Sequence, residues 1–174
     1  LSIAKGLTSG YIPMGGLILS RRMAEALVEK GGVFAHGLTY SGHPVAAAVA
    51  IANLKALRDE GVVTQVKNDT GPYLQNCLRE VFGNHSLVGE VQGVGLVAAL
   101  QFAEDKATRK RFANENDIAW RCRTLGFEEG IIIRSTLGRM IMAPALVATR
   151  TELDELVDKT RIAVDRTARE YGRL

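Results

Sequence analysis

The order of helical and strand patterns after about residue 62 restricts the fold of this chain more than any other feature. Apolar spacing predicts a helix, two strands, a helix, two strands and a last helix, at 62–82, 86–91, 95–102, 114–125, 131–133, 139–143 and from 149 onward. Gly71-Pro72 should bend or divide the first helix, because proline removes a helix hydrogen bond. Thr149 followed by Glu152 is a capping-box pattern for the last helix. This order predicts a compact α+β domain with an antiparallel sheet.

The first 61 residues follow a different pattern, in which glycine and proline separate short apolar segments. We expect the end of a buried strand at 1–5, a loop to Gly16 and a strand at 16–20. A helix should follow at 21–30, capped by Ser20 and ended by Gly31-Gly32, and another at 45–58 with Pro44 in its first turn. Small apolar residues dominate this last helix, which suits it to burial. Residues 1–43 look like the tail of a larger unit whose beginning is missing, and we expect residues 1–58 to expose apolar surface.

Charge excludes one class of function. The chain of 174 residues carries 22 basic and 19 acidic side chains, interspersed, for a net charge of +3. The densest basic run is Lys106, Arg109, Lys110 and Arg111, and aromatic residues are not interleaved with it. A solvated surface explains such a run better than a nucleic-acid site does. We therefore predict no nucleic-acid partner.

The cysteine, histidine and hydropathy patterns argue against a disulfide framework, a metal site and a membrane segment. Cys77 and Cys122 have no paired spacing and the three histidines are scattered, so neither a disulfide framework nor a metal site is indicated. No apolar run approaches the ~20 residues that cross a bilayer, so no membrane segment is expected. Reduced thiols and a cytoplasmic location fit this composition best.

Lys5 lies between the apolar run Leu1–Ala4 and a loop rich in glycine. Apolar neighbours that desolvate a lysine favour its neutral amine, and a neutral amine can attack an aldehyde to form a Schiff base. Glycines in the loop allow a cofactor to approach the backbone closely. From local features alone, an ordinary surface lysine beside a glycine-rich turn remains the alternative.

Four blocks of sequence together carry a family resemblance. The blocks Ala4–Gly16, His36–Ala46, Gly89–Leu96 and Gly130–Leu146 resemble, in the same order, those of the class III (subgroup II, omega-type) pyridoxal-phosphate-dependent aminotransferases. The resemblance implies an α/β fold, the C-terminal part of a fold-type I PLP-dependent transferase. In it, residues 1–61 would be the end of the large PLP-binding domain with a connecting helix, and residues 62–174 the small C-terminal α+β domain.

The resemblance also implies a cofactor, pyridoxal 5'-phosphate, and roles for three residues. Lys5 would form the Schiff base and then shuttle the proton. Thr39 would contact the cofactor phosphate in the neighbouring subunit's site, which implies a homodimer. Arg134 would bind a substrate carboxylate. Gln92 stands where the family commonly has arginine.

The residues alone also allow other interpretations of Thr39 and Arg134. Thr39 could cap its own loop backbone, and Arg134 could form a structural ion pair with Glu128 or Glu129. The GxG at Gly93–Gly95 lacks the third glycine and the following helix of a dinucleotide loop, and we reject that interpretation.

The function implied is transfer of an amino group from an amine or omega-amino acid to a 2-oxo acid such as pyruvate. The family's acidic residue for the pyridine nitrogen and its phosphate loop lie upstream of the cofactor lysine, so we expect these 174 residues alone to have little or no activity. The alternatives are a truncated, inactive fragment that acts only as a folded or dimerising domain, or an aminomutase, racemase or decarboxylase of the same family.

Overall fold

The computed structural model describes residues 1–31, 33 and 35–174, and these divide into two compact units, Leu1–Gly61 and Val62–Leu174. In the first unit the elements are two short strands and two helices: β1 (Ser2–Ile3), β2 (Gly16–Leu17), α1 (Arg21–Lys30) and α2 (Pro44–Asp59). Strands β1 and β2 pair antiparallel, with Ser2 opposite Leu17. A tight turn over Lys5–Leu7 follows β1 at once.

Both helices of the first unit begin where their sequence signals predict. The Ser20 hydroxyl accepts a hydrogen bond from the Met23 N–H and caps α1, and Pro44 occupies the first turn of α2. The predicted strands at 1–5 and 16–20 are wrong in extent, because only two residues of each pair and none of those is buried. Gly32, expected to end α1, lies outside the described residues.

Large apolar side chains of the first unit are exposed. Leu17, Met23, Val45, Ile51 and Leu54 each expose at least half of their surface, and only Ala46 and Ala50 of α2 are buried. The apolar composition of α2 thus has no core of its own inside this unit.

The second unit contains the helices and the sheet that the sequence predicts. Its elements are α3 (Val62–Gln65), α4 (Gly71–Phe82), β3 (Val88–Val94), β4 (Val97–Phe102), α5 (Glu115–Glu128), β5 (Arg134–Thr136), β6 (Arg139–Met142) and α6 (Arg150–Glu170). The four strands form an antiparallel sheet in the order β3-β4-β6-β5. The predicted antiparallel α+β arrangement is confirmed.

The core of the second unit lies between one face of the sheet and helices α4, α5 and α6. Along β4 burial alternates, so that Ala98, Leu100 and Phe102 are buried while the residues between them are more accessible. The helices contribute the fully buried Leu74, Leu78, Phe82, Ile118, Leu125, Ala163 and Val164. The opposite face of the sheet carries Gln101 and Arg139, which are Cα partners across β4 and β6.

Local signals explain the ends of several elements. A π-helical segment, Val66–Thr70, separates α3 from α4 just before Gly71-Pro72, where the sequence predicts a bend. The capping box at Thr149 and Glu152 is formed, with both reciprocal hydrogen bonds present. The run 131–133 is not a strand, although Ile131 and Ile133 are buried, and β5 begins only at Arg134. Among the described residues, no helix is both long and apolar enough to span a membrane.

Candidate functional site

Lys5 lies at the start of the turn after β1, and its backbone is in an unusual conformation. Its φ is +53°, in the left-handed region that residues with a Cβ seldom occupy. Such conformations persist only where surrounding structure imposes them, and they cluster at functional sites. The Lys5 side chain is exposed within this chain and, over the described residues, makes no ion pair or hydrogen bond. The desolvation expected from its apolar neighbours is therefore not provided by the first unit itself.

The loop after Lys5 is held by hydrogen bonds to its own backbone and to α2. Thr8 is buried, and its hydroxyl donates to the Ile12 carbonyl at 2.6 Å. The Asn53 side-chain amide donates to the carbonyls of Gly6 at 2.9 Å and Leu7 at 3.1 Å, while its Oδ1 accepts from the Ser9 hydroxyl at 2.7 Å. One side chain on α2 thus holds Gly6 and Leu7 of the Lys5 turn and Ser9 just after it.

The sequence analysis does not include Asn53 in the site. One feature could have pointed to it: Asn53 is an amide inside the apolar helix 45–58, where a polar residue needs a partner if it is not in solvent. The sequence could flag that position, but it could not show that the partners lie 44 to 47 residues earlier.

The loop that carries Thr39 forms a turn just before α2. The Ser41 N–H donates to the Leu38 carbonyl at 2.9 Å, and the Ser41 hydroxyl accepts from the Leu38 N–H at 3.2 Å. His43 then caps α2, because its Nδ1 accepts from the Ala46 N–H at 3.4 Å. Thr39 at the tip is exposed, and its hydroxyl has no hydrogen-bond partner in the part of the chain that the structure describes. The hydroxyl therefore does not cap its own loop.

Two neighbouring cavities bring these groups to the same loop. One, of about 340 Å³, is lined by Lys5, Thr8, Gly10 and the segment Ile12–Met14. The other, of about 700 Å³, is lined by Ile12–Gly15, the turn 38–43 and the first turns of α2. Ile12–Met14 belongs to both walls. Lys5 and Thr39 thus line separate cavities that share one segment.

The groups present fit a phosphate-bearing aldehyde cofactor. The Lys5 amine lines one cavity and the Thr39 hydroxyl lines the other, and neither group has a partner among the described residues. The N-terminus of α2 opens onto the Thr39 cavity, and backbone N–H groups at a helix N-terminus favour an anion. A volume of about 700 Å³ is within the range of small-molecule sites.

Arg134 lies in the second unit, at the first position of edge strand β5, where it is exposed and pairs by register with Ile141. The ion pair weighed from the sequence is absent: Glu128 and Glu129 bind Arg166, at 2.6 and 2.7 Å. Within the described ranges Arg134 has no ion pair or side-chain hydrogen bond. Its guanidinium is free to bind a carboxylate.

Comparisons with known proteins agree on a family. The sequence model of the family described as Aminotransferase class-III matches residues 1–164. The chain is 48% identical over 168 residues to a putrescine–pyruvate aminotransferase of Pseudomonas aeruginosa, covering 97% of this chain and 36% of that protein. It is 39% identical to a diaminobutyrate–2-oxoglutarate transaminase of Halomonas elongata, covering 95% of this chain and 36% of the relative.

Solved structures give the same result. A transaminase from a study of ancestral reconstruction superposes with a TM-score of 0.91 at 44% identity, over 97% of this chain and 38% of its own. An (S)-enantioselective omega-transaminase from Thermomicrobium roseum gives a TM-score of 0.87 at 38% identity, over 95% of this chain and 37% of its own. The chain thus spans a little more than one third of the length of the proteins that it matches.

Proposed function

Because this chain belongs to the class III aminotransferase family and has part of the fold-type I transaminase fold, we propose that it serves in pyridoxal-phosphate-dependent amino transfer. The amino group would pass from an amine or omega-amino acid to a 2-oxo acid such as pyruvate. The observation that carries this proposal is Lys5, held at φ +53° with an amine that no described residue engages, beside a loop that a helix braces. The named activities of two relatives, on putrescine with pyruvate and on diaminobutyrate with 2-oxoglutarate, support the substrate class.

Pyridoxal 5'-phosphate, when bound, supplies the aldehyde that takes up the amino group and a ring that withdraws electrons. Lys5 Nζ would hold this cofactor and, once released from it, carry a proton between two carbons. Thr39 Oγ1 would donate a hydrogen bond to the phosphate, next to the N–H groups at the start of α2. Arg134 would bind a substrate carboxylate through its guanidinium.

A homodimer follows as part of this proposal. Lys5 and Thr39 line separate cavities, which supports an arrangement in which Thr39 serves the site of the neighbouring subunit. The exposed apolar side chains of the first unit offer a surface for such an interface. Residues 1–61 would then be the end of the large cofactor domain with its connecting helix, and residues 62–174 the small domain. The free thiols Cys77 and Cys122 support a cytoplasmic location.

Product analysis tests the reaction. Because the 174 residues alone are expected to have little or no activity, they replace the matching segment of the Pseudomonas aeruginosa relative. This hybrid protein is incubated with pyridoxal phosphate, pyruvate and a diamine, and alanine is measured by chromatography. We expect alanine to form, Lys5→Arg to abolish it, and Lys55→Arg on α2 to leave it unchanged. Loss of carbon dioxide or inversion of an amino acid without alanine would instead indicate a decarboxylase or a racemase. A folded protein that forms none of these products would favour the non-catalytic alternative.

A further inference from the structure

The basic run at 106–111, which the amino-transfer proposal does not use, lines a cavity in the second unit. Residues Glu104–Arg111 form a turn closed by a two-residue bridge between Asp105 and Lys110, with backbone hydrogen bonds of 3.2 and 3.0 Å. The turn brings Lys106, Arg109 and Arg111 to the same cavity of about 470 Å³. The sequence interpretation of this run as a merely solvated surface is therefore incomplete.

Arg139 completes the cationic wall from the sheet. It lies on the sheet face opposite the helices, and the cavity floor beside it includes Gln101, Gln92 and Gly89. Gly89 lies where the β3–β4 register shifts, and a Cβ there would come within 2.5 Å of the Ala103 Cβ. A larger residue at position 89 would thus disturb the wall.

The acidic groups nearby neutralise few of these cations. Glu104 binds Lys110, which does not line the cavity, at 2.9 Å. A hydrogen bond from the Thr108 side chain, followed by those from the N–H groups of Thr108 and Ala107, lowers the pKa of Asp105. Glu115 lies 3.6 Å from Arg111, and Glu90 is the one carboxylate on the cavity wall. Four cationic residues therefore line the cavity against one carboxylate on its wall. Lys106 also donates to the Gly83 carbonyl, and Arg111 forms one weak ion pair, so Arg109 and Arg139 are the cations least engaged by other groups.

Two buried polar atoms on the wall lack partners. The Arg139 Nε donor and the Gln101 Oε1 acceptor are both buried without a hydrogen bond in the described structure. Leaving such groups unpaired costs free energy that a ligand or water recovers on binding. A ligand that both accepts from a guanidinium and donates to an amide oxygen would satisfy both.

We propose that the cavity between the turn 104–111 and strands β3, β4 and β6 binds phosphate or a small phosphate monoester. A phosphate oxygen accepts from arginine with bidentate geometry, and a protonated phosphate oxygen donates to the Gln101 Oε1. The volume of about 470 Å³ exceeds that of a bare phosphate, so it also admits a small molecule that carries one. This site lies entirely in the second unit and is distinct from the cavities of Lys5 and Thr39.

Calorimetric titration of the 174-residue chain with inorganic phosphate, at low and constant ionic strength, tests this proposal. We expect saturable binding that Arg109→Gln and Arg139→Gln each weaken by about tenfold, because each removes one charged donor. Arg169→Gln removes an exposed cation of α6 and should leave the affinity unchanged. Thr39→Val should also leave it unchanged, which separates this site from a cofactor-phosphate site. Amide NMR shifts at Gly89 and Ala103 locate the ligand.

Arg109 is exposed in a turn, so its variant is expected to fold even if Arg139→Gln does not. Absence of saturable binding to the folded chain would overturn the proposal. Equal weakening by Arg109→Gln and Arg169→Gln, or equally tight binding of chloride at the same ionic strength, would also overturn it, because either result indicates a general charge effect.

Discussion

The side-chain amide of Asn53 donates a 2.9 Å hydrogen bond to the main-chain carbonyl of Gly6, the residue directly after Lys5. A second bond to Leu7 and a third with the Ser9 hydroxyl join α2 to the same turn. Since Lys5 has φ +53°, these bonds act on a backbone that would otherwise relax to a more common conformation. Asn53 is thus a positioning residue for the lysine on which the proposed chemistry depends.

Replacing Asn53 by Ala should loosen this turn. The variant loses all three hydrogen bonds of the Asn53 side chain, and a net loss of about 1 kcal/mol, typical of one neutral hydrogen bond, already makes local opening about fivefold more frequent. Hydrogen–deuterium exchange of the amides in the loop 6–12 should therefore quicken by at least that factor. Asn84→Ala changes an exposed amide in the other unit and serves as the control. Unchanged exchange in the Asn53 variant would show that the hydrogen bonds do not hold the loop.

Gly71 should tolerate no side chain. A Cβ there would lie 2.3 Å from the Val66 carbonyl oxygen and 2.9 Å from the Gly95 Cα, both of them backbone atoms. Gly71→Ala is therefore expected to lower the free energy of unfolding by about 1–3 kcal/mol, as overpacking does. Gly37→Ala, where nothing lies within 4 Å, should change it far less. Urea unfolding of both variants measures the difference, and equal stability would contradict the close packing at Gly71.

Tyr73 should titrate well above the ordinary pKa of a tyrosine. Its hydroxyl donates to Asp154 at 2.5 Å, and this bond together with burial raises its pKa from 10.0 to about 12. Because the folded-state pKa is the higher one, the stabilisation is fully present below pH 10 and is lost as the pH rises through about 12. Absorbance at 295 nm should show one late phenol, which Asp154→Asn moves toward pH 10. A late phenol that persists in that variant would exclude Asp154 as the main cause.

The two cysteines should differ in reactivity. Cys122 is fully buried in the core, and burial raises the pKa of its thiol to about 11, which leaves little thiolate at pH 8. Cys77 is only partly buried. Ellman's reagent should therefore label one thiol quickly in the folded chain, and Cys77→Ser should remove that fast phase. Rapid labelling of the Cys77→Ser protein would contradict the burial of Cys122.

Local sequence signals predict most of the helices and strands, and contacts between distant residues explain where the structure differs. Ser20, Pro44 and the Thr149–Glu152 pair begin their helices because the capping groups lie within one turn of each end. The apolar run predicts a strand at 131–133 because apolar residues favour burial, yet burial alone does not provide a pairing partner. Pairing begins only at Arg134, directly after the run.

The difference between local patterns and contacts between distant residues also explains which site residues the sequence predicts. Lys5, Thr39 and Arg134 stand in blocks of sequence that resemble a family, so residue patterns were enough to propose them. Asn53 and the cationic cavity depend on partners far away in the chain, such as Gly6 for Asn53 and Arg139 for the turn at 106–111. No pattern within one segment contains such a pairing.

Borohydride trapping tests the central proposal, that Lys5 is the cofactor lysine, most directly. The folded protein is mixed with pyridoxal phosphate and reduced, and the modified peptide is mapped by mass spectrometry. We expect close to one label per chain at Lys5, no label at that peptide in Lys5→Arg, and reduced labelling in Asn53→Ala. Labels scattered over the other lysines of a folded chain, or none at all, would contradict it.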